Sequence, residues 1–172
     1  MELFDLFDDD RKPLGKTIVR GEACKEGENR MVVHVVIFNS KGEMLIQQRQ
    51  STKKHWPSLW DISCGGCSIA GETSKESAHR ELLEELGIDY DFSDVRPHYT
   101  INFERGFDDV YFLELDIDVK DLVLQEDEVI QAKWATVEEI KTLISEGKFI
   151  PYLPGYVECL FQFKKQRGVI MD

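Results

Sequence analysis

The chain has 172 residues, 42% hydrophobic and 31% charged, the proportions of an ordinary globular protein with material for one core. Its formal net charge of −12 leaves no basic face to displace counterions from a nucleic-acid backbone, so nucleic acid is excluded as an expected partner, and a phosphate-bearing ligand would need metal ions to bridge the charge. Its longest apolar stretches, such as Met31 to Phe38 with His34 inside it, are too short for a bilayer, and the acidic opening MELFDLFDDD lacks a signal peptide's basic-then-apolar order; a cytoplasmic protein without a membrane partner is expected.

In chain order, ELFDLFD and KPLGKTIVR read as a weak strand pair. MVVHVVIF (31–38), the turn NSKG and EMLIQQR (43–49) then read as a β-hairpin. RPHYTINFE (96–104) and DVYFLELDI (109–117) form a third pair about Gly106. Helical periodicity covers 73–86, 137–146 and roughly 155–166. There is no repeat, low-complexity tract or linker, so residues 1–172 are expected to form a single domain with an N-terminal strand pair and a C-terminal helix. The irregular alternation of strands and helices favours a mixed sheet flanked by helices over a doubly wound parallel one. The last helix puts Tyr156, Cys159, Leu160 and Phe163 on one side. That face either packs on its own domain or forms a homodimer contact, and a homodimer is the weaker expectation.

Residues 63–72, SCGGCSIAGE, contain a C-x-x-C pair, Cys64 and Cys67. A structural zinc site needs four ligands, and here one pair is accompanied only by single cysteines at 24 and 159 and isolated histidines. A redox C-x-x-C sits at the start of a helix, but helix signals begin only at Thr73. Small buried or half-buried thiols are expected at both positions.

The helix at 73–86, TSKESAHRELLEEL, carries the most information. Thr73 with Glu76 is a capping-box signature, and Gly87-Ile88 marks the end. At 100° per residue Ala78, Leu82 and Leu86 share one side, and Glu81, Glu84 and Glu85 fall within an arc of about 100° beside it. A solvated acidic face is one reading. Against it, Glu81 and Glu85 repel at i,i+4 and all three carboxylates oppose the helix dipole, by a few tenths of a kcal/mol each. A divalent cation would turn that repulsion into ligation, since Mg²⁺ binds carboxylate oxygens at about 2.1 Å.

The spacing from Gly66 through Glu72, Arg80-Glu81-Leu82 and Glu84-Glu85 to Gly87-Ile88 matches the Nudix box at every defined position, and the chain resembles the Nudix hydrolase superfamily. The resemblance implies an α/β fold, a mixed β-sheet in an α/β/α sandwich. It also implies Mg²⁺- or Mn²⁺-dependent water attack on phosphorus in a small-molecule diphosphate substrate of the nucleoside diphosphate type. Glu81, Glu84 and Glu85 match the metal ligands, Glu81 alternatively acting through a metal-bound water, while Arg80 matches the arginine that orients them and Glu72 an outer partner. In many relatives a glutamate beyond the box completes the site, and in LQEDEVIQAKW (124–134) the pattern favours Glu128 over an acidic solvated loop. Gly65 and Gly66 would let backbone approach a diphosphate without a Cβ. Arg49, Lys53, Lys54 and His55 cluster just before them and could grip an outer phosphate, with Arg49 and Lys54 the expected contacts.

The stretch 44–72 also resembles the branch near type I isopentenyl-diphosphate isomerase, sharing QQR, K-x-x-W-P and W-x-x-S. That enzyme is the rival reading, and a non-catalytic nucleotide-sensing module is a third. An ungapped alignment puts the isomerase's cysteine at Gly65 and its loop histidine at Cys67. Its earlier metal histidines fall near Ala23 and Arg30, and its downstream acids near Phe107 and Asp109. The intact R-E-x-x-E-E segment favours the hydrolase, and Cys64 is the feature that keeps the isomerase in view.

Overall fold

The computed structural model describes residues 2–153, 155–164, 168 and 170. In chain order its elements are β1 (Leu3–Phe7), β2 (Pro13–Val19), β3 (Arg30–Phe38), β4 (Met44–Arg49), β5 (Trp60–Ile62), β6 (Cys64–Cys67), α1 (Ser74–Leu86), β7 (Tyr99–Phe103), β8 (Gly106–Glu114), β9 (Val129–Ala135), α2 (Val137–Ser145) and α3 (Tyr156–Phe163).

The β-branched run of β3 makes it the centre of the sheet, buried from both sides. It lies parallel to β8 along its whole length, from Arg30 opposite Gly106 to Phe38 opposite Glu114. β7 extends the sheet beyond β8, and β6 covers the other edge of β3. The expected hairpin of β3 and β4 forms, but it parts at once. Phe38 opposite Met44 is the sole register pair between them, after which β4 takes β5 and β9 as neighbours. The two strands therefore diverge beyond that pair. Ser63 holds the corner where the chain crosses from β5 to β6: its hydroxyl accepts from Ile37 N at 2.8 Å and donates to Leu45 O at 2.6 Å. The serine of the W-x-x-S motif thus bridges the strands where their own ladder stops.

Side-chain alternation along these strands builds two cores. Val33, Val35, Ile37, Leu45, Tyr111 and Leu113 meet Ala78, Leu82 and Leu86 of α1. On the other face Val36, Phe38, Met44, Ile46, Val110 and Phe112 meet Ile140 of α2 and Val157 and Leu160 of α3. The result is the expected mixed sheet between helical layers. In α3 the buried pair is Val157 and Leu160, whereas Cys159 of the expected face is exposed. Residues 165 and 166 of that expected helix lie outside the described residues. No helix among the described residues is long and apolar enough to cross a membrane.

Two strand readings need correction. Gly106 is not the turn of the third pair but the first residue of β8, paired with Phe103. A Cβ there would stand 2.4 Å from Arg30 O, so the glycine permits the close approach of β3. Residues 64–67 and 129–135, which the sequence did not mark as strands, join the sheet because long-range partners complete their ladders.

The hairpin β1–β2 lies apart from the main sheet and is held by a few specific contacts. Gly71 N donates to Asp5 Oδ2 at 2.7 Å, and Ala70 N to Leu3 O at 2.7 Å. Arg11, in the turn, makes a fork to both oxygens of Asp109 on β8 at 3.0 and 2.8 Å. Burial raises the Asp109 carboxyl, but the hydrogen bonds from Arg11 and Thr100 outweigh it and leave it below the usual range. A depressed carboxylate stabilises the fold above its unfolded value and loses that contribution as pH falls through the folded one. Asp109→Asn should therefore cost about 1–2 kcal/mol near pH 6, discounted because Arg11 is partly exposed. In thermal unfolding the gap from wild type should close below about pH 4.

Candidate active site

Local sequence sets α1. The Thr73 side chain accepts from Glu76 N while Glu76 accepts from Thr73 N, completing the capping box, and Gly87 ends the helix in the left-handed conformation at φ 70°. The Ala78–Leu82–Leu86 stripe fastens this helix to the sheet and turns its carboxylates toward β6.

Arg80 organises them. Its Nε donates to Glu72 Oε1 at 2.7 Å, its Nη1 to Glu81 Oε1 at 2.9 Å and Glu84 Oε2 at 3.1 Å, and its Nη2 to Cys67 O at 3.1 Å. One guanidinium thus ties the box loop, the edge strand and two helix glutamates together. Burial opposes the Arg80 charge, but Glu72 and Glu81 raise its pKa further. Glu72 also accepts from Ser77 Oγ at 2.7 Å. Burial pushes its carboxyl up, and the bonds from Arg80 and Ser77 bring it below the usual range.

Glu81 and Glu85 are buried whereas Glu84 is half exposed. Burial raises Glu81, only partly offset by Arg80. Glu85 goes further: burial, then the Glu81 charge, push it up to about 8, against the bond it accepts from Gln47 Nε2 at 2.8 Å. The amide oxygen of Gln47, on β4, is buried and has no hydrogen-bond partner among the described residues. In this arrangement Glu81 and Glu84 turn to Arg80 and Glu85 to Gln47. Among the described residues no three His, Cys, Asp or Glu side chains are gathered as a ready ligand set.

The loop before β9 runs back along the end of α1, with Val123 N bonded to Leu86 O at 3.1 Å and Gln125 N to Glu85 O at 3.2 Å. This docking brings Glu128 to the carboxylates; Glu126 and Asp127 are exposed, while Glu128 is half-buried and pairs with Lys53. Lys53 is the lysine that reaches the cluster. Lys54 lies exposed. Arg49 donates from Nη1 to Asp61 Oδ2 and from Nη2 to His55 O, each at 3.3 Å. Sequence reading passed over Gln47, Asp61 and Ser63 as site-building residues. Gln47 and Ser63 carried a signal, their places in the QQR and W-x-x-S motifs.

The two glycines of β6 face opposite ways. A Cβ on Gly66 would lie 2.2 Å from Glu81 Oε1, and one on Gly65 would lie 2.4 Å from the His34 ring. Neither has a positive φ, so the requirement is space and not backbone freedom. Cys64 has its side chain in the apolar core under α1, where burial raises its thiol well above the usual value. A serine there would bury a hydroxyl in an apolar core, so Cys64→Ala is the cleaner substitution. We expect Cys64→Ala to keep hydrolytic turnover within about threefold of wild type while lowering the melting temperature, since the loss is packing and not chemistry.

Chain-wide comparison agrees with the site. The NUDIX domain model matches residues 28–153, the part of the chain that holds α1 and the whole main sheet but not β1–β2 or α3. The chain belongs to the Nudix family. An uncharacterized Nudix hydrolase of Listeria monocytogenes is 46% identical over 164 residues, 95% of this chain and 96% of that protein. An isopentenyl-diphosphate Delta-isomerase of Pectobacterium atrosepticum is 32% identical over 144 residues, 78% of this chain and 76% of that protein. In fold, a crystal structure from Deinococcus radiodurans superposes with a TM-score of 0.74 at 24% identity, covering 96% of this chain and 100% of that one. As a Nudix hydrolase, this protein acts on a phosphoanhydride bond; the family in general takes small-molecule substrates and uses divalent metal ions.

Proposed function

We propose that the protein is a Mg²⁺- or Mn²⁺-dependent pyrophosphohydrolase that cleaves a nucleoside diphosphate-type substrate by water attack on phosphorus. The observation that carries this reading is the buried carboxylate pair, Glu81 and Glu85, kept together on one helix face against both dipole and mutual repulsion. The donor set suits a hard cation: carboxylate oxygens from Glu81, Glu84 and Glu85, beside an amide oxygen of Gln47 that is buried with no hydrogen-bond partner among the described residues. Those three glutamates would hold the ion. When bound, a divalent ion neutralises diphosphate charge and makes its water more acidic.

The chain's own residues do the rest. Arg80 fixes the orientations of Glu81 and Glu84 and holds the box loop to β6. Glu128, steadied by Lys53, faces the helix carboxylates and takes the proton of the attacking water. Gly65 and Gly66 keep the edge strand bare for the diphosphate, and Arg49 and Lys54 stand on the loop side to meet an outer phosphate.

The isomerase reading has the sequence relationship in its favour. Against it, the Cys64 thiol is spent on the core under α1, and the position aligned with the isomerase's cysteine is Gly65, which has no side chain. Purified protein incubated with Mg²⁺ and a panel of nucleoside diphosphate derivatives is expected to release phosphorus-containing products from at least one, and EDTA is expected to abolish release. Full activity in excess chelator, or isomerisation of isopentenyl diphosphate without phosphate release, would overturn the reading.

A further inference from the structure

The cations around the carboxylate cluster are engaged by acidic partners: Arg80 by Glu72, Glu81 and Glu84, Arg49 by Asp61, and Lys53 by Glu128. His34 is bound differently. It lies in β3 opposite Gly65, and its ring packs over the bare Cα of that glycine, on the face of β6 away from Glu81. Its Nδ1 stands 2.9 and 2.8 Å from the two oxygens of Asp108 on β8, so Nδ1–H donates to the carboxylate, which fixes the ring plane. The Cδ2–Cγ edge of the ring is the one nearest Gly65; Nε2, bonded to Cδ2, makes no hydrogen bond among the described residues, and the side chain keeps 22% exposure. Burial lowers the imidazole's pKa, but Asp108, with the charges of Asp61 and Glu85 behind it, outweighs this and raises it. The strand between His34 and Glu81 is an edge strand, paired only with β3. A ligand crossing that edge is within reach of both faces.

We infer that His34, oriented by Asp108, is a binding residue of the diphosphate site that, as the imidazolium, donates its Nε2–H to a phosphoryl oxygen of a substrate lying across β6. The inference rests on the diphosphate reading above, but it can fail or stand separately from hydrolysis. His34 supplies a further donor beyond Arg49 and Lys54, on the face of β6 away from Glu81, where an acidic protein needs charge complementary to a phosphate.

The probe is methylenediphosphonate, whose bridging carbon resists hydrolysis, added with Mg²⁺ to protein labelled for long-range ¹H–¹⁵N imidazole spectra. Mg²⁺ alone should leave His34 Nε2 in place, and Mg²⁺ with the diphosphonate should shift it. His79, exposed on α1 and paired with Asp89, should not move. His34→Gln is expected to weaken diphosphonate binding by roughly 10- to 100-fold, the usual worth of a hydrogen bond to a charged group, with Mg²⁺ affinity by calorimetry within about twofold of wild type. Asp108→Asn should weaken the diphosphonate in the same direction by removing the partner that orients and charges the ring. An unshifted Nε2 in the wild-type protein, or wild-type diphosphonate affinity in a folded His34→Gln variant, overturns the inference and leaves an ion pair internal to the sheet. If the diphosphonate binds through His34 but no diphosphate in the panel is cleaved, the hydrolytic reading fails and this one stands.

Discussion

Glu85→Gln is expected to lower turnover by at least about 10²–10³-fold while leaving the fold intact, the scale on which losing a preorganised electrostatic group is felt. The substitution keeps the shape of the side chain and its contact with Gln47, since an amide can turn its oxygen to the Gln47 Nε2 that Glu85 now accepts from at 2.8 Å. What it removes is a ligand charge in a buried position. Stability should move the other way. Because the folded pKa is raised to about 8, ionisation of Glu85 opposes folding as pH climbs from its unfolded value, and the penalty is complete above the folded one. In EDTA above about pH 8 the variant should melt no lower than wild type, and the advantage should vanish near pH 4. Glu81→Gln should be comparably severe in turnover, since it loses a buried carboxylate and one of the anchors of Arg80. Glu72→Gln should be milder, because Arg80 retains its bonds to Glu81, Glu84 and Cys67 O. Parallel measurement of turnover and of thermal unfolding in chelator separates chemistry from folding. A Glu85→Gln enzyme with wild-type turnover would refute the metal assignment.

Gly66→Val is expected to abolish activity, and the cause is geometric. Its first added atom would lie 2.2 to 2.7 Å from the Glu81 carboxyl group, closer than any real Cβ contact, so the carboxylate must leave or the edge strand must move. Either response breaks the Arg80 network, because Arg80 holds Glu81 with Nη1 and Cys67 O, on the same strand, with Nη2. Gly66→Ala already places that Cβ, so it should cost nearly as much as valine. Had the glycine served a left-handed backbone, the defect would show mainly as lost stability; here the Mg²⁺ affinity of a folded variant, read by calorimetry, should fall with activity. Gly65→Ala makes a useful contrast, since its Cβ would meet the His34 ring and Val33 O on the other face. Of the two alanine substitutions, Gly65→Ala should retain Mg²⁺ binding better than Gly66→Ala.

The helix that carries the chemistry could be read from sequence because its determinants are local. A capping box spans four residues, the apolar stripe repeats every four, and the carboxylates that share a face are at most four apart, so periodicity alone brings Glu81, Glu84 and Glu85 together. The Nudix box added Gly66, Glu72 and Arg80 by spacing, and the structure joins Arg80 and Glu72 as that spacing implied.

What surrounds the helix was decided by pairing across the fold. Gln47 meets Glu85 from 38 positions away, Lys53 meets Glu128 from 75 and Asp108 meets His34 from 74, and no local pattern says which of these residues pair. The choice of Lys53 over Lys54 is a matter of which side chain the loop turns inward. The strand character of Cys64–Cys67 comes wholly from its ladder with β3, since Cys-Gly-Gly-Cys has little intrinsic preference to be extended. That ladder also fixed the meaning of the cysteines and glycines. Alternation sends Cys64 and Gly66 to the face of α1 and Gly65 to the face of His34. Sequence by itself put the three carboxylates on one face, because helix geometry makes short spacings into shared faces, and the resemblance of its box to the Nudix family implied the class of chemistry. Tertiary structure alone decided which side chains meet that face, because strand register and loop docking depend on contacts that no short stretch of chain encodes.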